Sequence, residues 1–278
     1  MMEKLHAAGT QQTAFARIVD PLTYSNHRLL VGIALLAAAV HGVITLVATG
    51  NFFAAALQGF LVGLSSGAAW AFARELDPDH EASGLVAAAA GGVFALDWRV
   101  ALVYIPLMFA LRLVNRTGHG PAKFADTVIV VAAVALAGFT TTGVVAIIGA
   151  AAFLMDSILV KPLVRHRYAA LVCALIAVFT LRGPFGWTET SVGAGLMGVM
   201  VLIVAFAWYT LRLDRVQTPA DNGDELHLER VQSAMVIYTV GGALLVAAAG
   251  PAAVTSYWII WASMTGPLVW AGVRAVQS

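Results

Sequence analysis

The densest concentration of reactive side chains in this sequence is Arg74-Glu75-Leu76-Asp77-Pro78-Asp79-His80-Glu81. Four carboxylates and an imidazole within seven residues offer the oxygen ligands that a hard divalent cation prefers. Glu75, Asp77 and Asp79 are the expected metal ligands. A Mg²⁺ held by them would bridge to a phosphate, leaving Arg74, Arg112 or Arg116 to pair with the remaining phosphate oxygens. That is the chemistry of a membrane-embedded enzyme acting on a lipid or isoprenoid phosphate. A plainer role fits the same residues. Pro78 stops one helix, and Asp79, His80 and Glu81 stand before the next apolar run, where negative charge meets a helix N-terminal dipole.

A second set consists of ionisable residues embedded in apolar runs: His41, Arg112 and Asp156. His41 lies about twelve residues into its run, deep in hydrocarbon if that run spans a bilayer. Charges at such depth are costly and mark substrate paths and proton relays, so these three are the candidate substrate-binding residues. The structural alternatives are a cross-helix Arg112–Asp156 salt bridge that snorkels to the interface and a neutral His41 bonded to a carbonyl. No Ser–His–Asp order, HExxH, Walker loop or GxGxxG occurs. Asp221-Asn222-Gly223-Asp224-Glu225 reads as a flexible polar loop and lacks the spacing of a calcium-binding loop.

The elements that must position these residues are apolar throughout. The chain has 278 residues, 60% of them hydrophobic and 11% charged. Soluble domains carry about 25% charged residues, so this chain lacks the material for a polar outer face. Apolar runs come in pairs: Leu29–Thr49 with Phe52–Ala73, Gly84–Leu96 with Val100–Val114, Thr127–Phe139 with Gly143–Val160, Tyr168–Leu181 with Thr190–Leu211, and Ser233–Ala249 with Ala252–Val273. The expected fold is all-α, a polytopic transmembrane helical bundle of about ten spans in five hairpins. Gly84–Leu96 and Thr127–Phe139 fall short of the ~20 residues of a straight span, so eight spans plus re-entrant half-helices is the other arrangement.

Charge placement orients the bundle. With the N-terminus in the cytoplasm, fourteen of the 16 basic residues face inward and only Arg99 and Arg182 face outward. Both termini are therefore expected in the cytoplasm, with residues 1–28 a cytoplasmic segment, 29–274 a single transmembrane domain, and the plasma (cytoplasmic) membrane the location. Gly59, Gly63 and Gly67 recur every four residues, a stripe that lets a neighbouring backbone approach closely.

The formal net charge is +1 and no cationic block appears, so the expected partner is the lipid bilayer and not nucleic acid. The single cysteine, Cys173, lies in an apolar run and cannot form an intrachain disulfide. Ten spans in this length, with both ends inside, is similar in gross architecture to drug/metabolite transporters. The leading expectation is a small-molecule transporter or permease with polar groups such as His41, Thr45, Gln58, Ser65 and Ser66 inside it. The metal-assisted enzyme and an accessory membrane subunit stand as alternatives; substrate and oligomeric state are left open by the sequence.

Overall fold

The computed structural model describes residues 21–277 apart from 23, 119, 182–192 and 222. Most of the expected cytoplasmic N-terminal segment, the turn at 182–187 and the start of the eighth apolar run lie outside the described residues. Among the described residues there are no strands and ten α-helices of eleven residues or more. They are α1 Ser25–Thr49, α2 Phe52–Leu76, α3 Glu81–Gly91, α4 Ala101–Asn115, α5 Phe124–Thr140, α6 Val144–Asp156, α7 His166–Thr180, α8 Ala194–Arg212, α9 Leu228–Ala249 and α10 Trp258–Gln277. Each of the ten apolar runs holds one of these helices. Five are long and apolar enough to cross a membrane: α1, α2, α8, α10, and α9 together with the short turns that extend it to Ser256. The helices α4 to α7 are apolar but shorter.

Chain contacts divide the molecule into two compact units where the sequence reads as one domain. A terminal unit holds α1, α2, α3, most of α8, and α10; a central unit holds α4 to α7 and α9.

In the terminal unit, α1 and α2 form a hairpin whose turn is built from two residues. Gly50 closes α1 in the left-handed region at φ 66°, its N–H bonding the Leu46 carbonyl. Asn51 then caps α2, its side-chain oxygen accepting from Ala54 N–H at 3.1 Å. The glycine stripe on α2 is tight at one end only. A Cβ on Gly59 would stand 2.6 Å from the Ala38 carbonyl oxygen, whereas one on Gly63 would make ordinary contact and one on Gly67 would meet nothing within 4 Å. Helix α1 buries only Leu30 and leaves Leu35, Leu36, Val43 and Val47 exposed. An apolar helix with so little inward surface needs lipid or protein around it.

Helix α3 is shorter than its apolar run, ending at Gly91 although hydrophobic residues continue to Leu96. The Gly91-Gly92 pair weakens the helix, and both glycines sit against neighbours that leave no room for a side chain. Eleven residues make about 16 Å of helix, roughly half a hydrocarbon core. Trp258 secures this end by donating its indole N–H to the Ala90 carbonyl at 2.8 Å.

In the central unit the helix ends alternate. The C-terminal ends of α4 and α6 meet the N-terminal ends of α5, α7 and α9 on one face. Along their lengths the helices interdigitate: Gly149 of α6 packs under Val134 of α5, and Gly241 of α9 packs under Ile148 of α6. Cys173 is free and fully buried.

Candidate functional site

Asp156 is the last residue of α6 and its side chain is 1% exposed. A carboxylate at a helix C-terminus meets the negative end of the dipole, and burial adds a desolvation cost. It stays there because three cationic or potentially cationic groups converge on it. Arg116 donates from Nε and Nη2 to Oδ1 at 3.0 and 2.8 Å. Arg230 Nη1 donates to the same oxygen at 2.8 Å. His166 Nδ1 lies 2.7 Å from Oδ2.

Arg230 is itself near a helix N-terminus, again the wrong end for its sign, and is 1% exposed. Its remaining donors go to carbonyls left over where two segments end: Nη1 to Val114 at 2.9 Å, and Nε and Nη2 to Val160. Two charges at unfavourable helix ends thus compensate each other, and neither is tolerable alone.

His166 opens α7 and is fully buried, edge-on to Phe153. Its Nε2 lies 3.0 Å from Thr127 Oγ1, whose hydroxyl is also 3.1 Å from the Lys123 carbonyl. A carbonyl only accepts, and the hydroxyl has one hydrogen. With that hydrogen on Lys123, Thr127 accepts from Nε2, both ring nitrogens donate, and His166 is an imidazolium beside Asp156. With the hydrogen turned to Nε2, His166 is neutral and keeps its Nδ1–H on Asp156. Both charge states are fully hydrogen-bonded: they differ by one proton on Nε2, and the Thr127 hydroxyl can turn to suit either. The helix that carries Thr127 is fixed from outside the pair by Asp126, which accepts from Lys123 N–H at 2.8 Å.

The terminal unit has a second aspartate–histidine pair. Asp77 follows α2, its side chain 3% exposed, with Oδ1 2.7 Å from His80 Nδ1. On the other side of the ring, Arg274 Nη1 lies 2.6 Å from His80 Nε2. An arginine only donates, so Nε2 accepts and the ring proton sits on Nδ1, aimed at Asp77. Asp77 Oδ2 is buried without a hydrogen bond. Burial holds the Asp77 carboxyl above its ordinary value of 3.8, against the lowering influence of His80, Ser83 and Arg274. Ser83, on the first turn of α3, donates to the His80 carbonyl at 2.7 Å, and Asn26 of α1 donates to Glu81.

Of the residues expected from sequence to bind substrate, Asp156 is the centre of the buried network. Arg112 lies half-buried on α4, one turn before Arg116, and it is Arg116 that meets Asp156 through both Nε and Nη2. His41 is half-buried on α1, in the other unit. The expected metal ligands are spread over a helix end and its loop: Glu75 is buried on α2, Asp77 is the residue after it, and Asp79 is half-buried beyond Pro78. Among the described residues no three His, Cys, Asp or Glu side chains group as ligands for one metal ion.

Sequence reading missed Arg230, His166 and Thr127. Arg230 and His166 stand at the edges of apolar runs, where ordinary interfacial charges also stand, so nothing local distinguishes them. No protein-family model, curated protein or solved structure matches the chain.

Proposed function

We propose that this is a ten-span protein of the plasma membrane, both termini in the cytoplasm, that transports a small solute, with His166 as its proton-carrying group. The observation that carries the reading is the Asp156–His166–Thr127 chain. It is a buried imidazole with satisfied partners in both charge states, at the meeting of five helix ends. Ionisable groups in an apolar bundle are costly and are kept where protons or solutes move. The charged groups facing His166 are Asp156 from α6, Arg116 from the end of α4 and Arg230 from α9; Asp126 at the start of α5 holds Thr127's helix in place.

Alternation of the helix ends within each unit supports a reading of ten spans. In the terminal unit the starts of α1 and α3 meet the ends of α2 and α10, through Asn26–Glu81 and His80–Arg274. In the central unit the starts of α5, α7 and α9 meet the ends of α4 and α6. Those are the ends that ten alternating spans place in the cytoplasm. Cysteines at Asn51 and Thr141 should then label from outside, and a cysteine at Gly120 or Gly223 only from inside.

Transport is tested by reconstituting the protein in liposomes and recording pH-gradient-driven currents over a panel of small anions, cations and neutral solutes. His166→Gln preserves a hydrogen-bonding side chain but cannot carry a proton, so it should abolish the pH dependence while the protein still folds. Currents of unchanged pH dependence in His166→Gln would remove His166 from the mechanism.

A further inference from the structure

The central unit has a small, open cleft beside the Asp156 network. Its lining comes from three separate segments: Asn115, Arg116, Gly120 and Pro121 after α4, Lys161 after α6, and 224–227 with Arg230 at the start of α9. Among the described residues, two non-glycine residues adopt positive φ, Arg116 and Lys161, both at 57°. Both line this cleft, and both are cationic. A long side chain in the left-handed region costs about 1 kcal/mol or more relative to glycine, and such positions persist where the surroundings require them.

Donor groups here are left over. Arg116 commits Nε and Nη2 to Asp156 and is also part of the cleft lining. Lys161 lines the cleft and is exposed, and among the described residues no ion pair to it is seen. His227 Nε2 is buried and makes no hydrogen bond. An unpaired buried ring nitrogen costs on the order of 1–3 kcal/mol, so a group that would pair it has a place to go. The acids of the lining, Asp224 and Glu225, are exposed at its edge, and Asp156 beneath is already occupied by Arg116, Arg230 and His166.

We propose that this cleft binds a phosphoester group, its oxygens held by Arg116, Lys161 and His227. A tetrahedral oxyanion suits donors arriving from three directions, and arginine and lysine are the usual phosphate partners. The edge carboxylates disfavour a bare multiply charged anion. They suit a phosphoester whose other end is an ammonium, the chemistry shared by free phosphoethanolamine and the phosphatidylethanolamine headgroup. This site stands apart from the transport reading; it would exist on a transporter, an enzyme or an accessory subunit alike.

The test uses the full chain in detergent. One arm titrates inorganic phosphate and phosphoethanolamine by calorimetry; the other measures phosphatidylethanolamine retained in native mass spectrometry. Lys161→Gln, at an exposed position, should weaken the bound species about tenfold or more, the loss of one charge-assisted contact. Lys161→Gly should do the same while raising the melting temperature of the ligand-free protein, because glycine relieves the φ of 57°. Binding in the soluble arm identifies a free ligand and binding only in the second a lipid headgroup, and either supports the proposal. Absence of binding in both arms, or binding that Lys161→Gln weakens by less than tenfold, overturns it.

Discussion

The two units solve one problem in opposite ways. Each ends a helix on a buried aspartate and sets a histidine Nδ1 2.7 Å from it. In the central unit the far side of the ring faces a hydroxyl, which can give or take a hydrogen, and the aspartate is matched by two arginines. In the terminal unit the far side faces an arginine, which can only give, and one carboxylate oxygen is left unpaired. The first histidine is free to change charge inside a satisfied network. The second has its Nε2 facing a group that only donates, beside a carboxyl that burial has made reluctant to ionise. Identical pair distances therefore encode different behaviour, and the difference lies in the third group.

The largest expected effect separates the two aspartates. Asp156→Asn removes the carboxylate that pairs with the buried Arg230 and the part-buried Arg116, and breaking a buried pair from one side costs about 3–5 kcal/mol. Asp77→Asn keeps an oxygen that can accept from His80 and removes a poorly solvated charge, so its cost should stay within about 1 kcal/mol. Reversible unfolding in mixed micelles measures both. Equal losses would mean that Asp77 is as tightly coupled as Asp156, and the comparison would fail.

Next in size is the packing that holds the terminal unit where ions do not. A Cβ on Gly266 of α10 would collide with the Ser83 carbonyl oxygen on α3, whereas one on Gly67 of α2 would meet nothing within 4 Å. Gly266→Leu should therefore cost about 1–3 kcal/mol or more, and Gly67→Leu should stay within about 0.5 kcal/mol. Hydrogen exchange along α3 and α10 reports where the damage falls. Damage of similar size in Gly67→Leu would show that the stripe is packed along its whole length.

The helices were readable because composition alone forces them: apolar runs of thirteen residues or more leave the backbone no other way to satisfy its polar groups. Their ends were less so. Hydropathy runs smoothly through Gly91-Gly92 to Leu96, while the helix stops where two glycines meet backbone and side chains of α2. Asp156 stood out as a charge in an apolar run. Its partners lie 10, 40 and 74 residues away, and which basic residue reaches it depends on where α4 turns off at Arg116. One helical turn separates Arg116 from Arg112, and sequence does not choose between them. The acidic loop shows the same limit. Glu75 still belongs to a helix and Asp77 has just left it, so nearness in sequence does not by itself gather side chains around one point.

A smaller effect is the acid response of Asp77. Its folded-state pKa lies above the ordinary 3.8, so the folded protein binds the proton more readily than the unfolded chain. The resulting stabilisation is complete below the unfolded value and is lost as pH rises through the folded one. Stability should therefore fall with rising pH across the acid side, and Asp77→Asn should flatten that slope. Difference melting curves of the two proteins between about pH 3.5 and 6 isolate the contribution. A slope of opposite sign would place His80 and Arg274 ahead of burial in setting this carboxyl.

The smallest energetic change tests the third group directly. Arg274 is exposed, and its contact with His80 Nε2 should be worth under about 1 kcal/mol to the fold. Its effect on the ring is qualitative. With the guanidinium in place, Nε2 must accept, so selectively ¹⁵N-labelled His80 should give the neutral Nδ1–H signature. Arg274→Met removes the donor without replacing it and leaves Nε2 open to water, which both donates and accepts. His80 should then gain access to the imidazolium, paired with Asp77 as His166 is paired with Asp156. The spectrum, rather than the melting temperature, records the change. A wild-type His80 already carrying two protons beside Arg274 would show that Asp77 alone dictates the charge of its histidine, and the third group would lose its claim to divide the two sites.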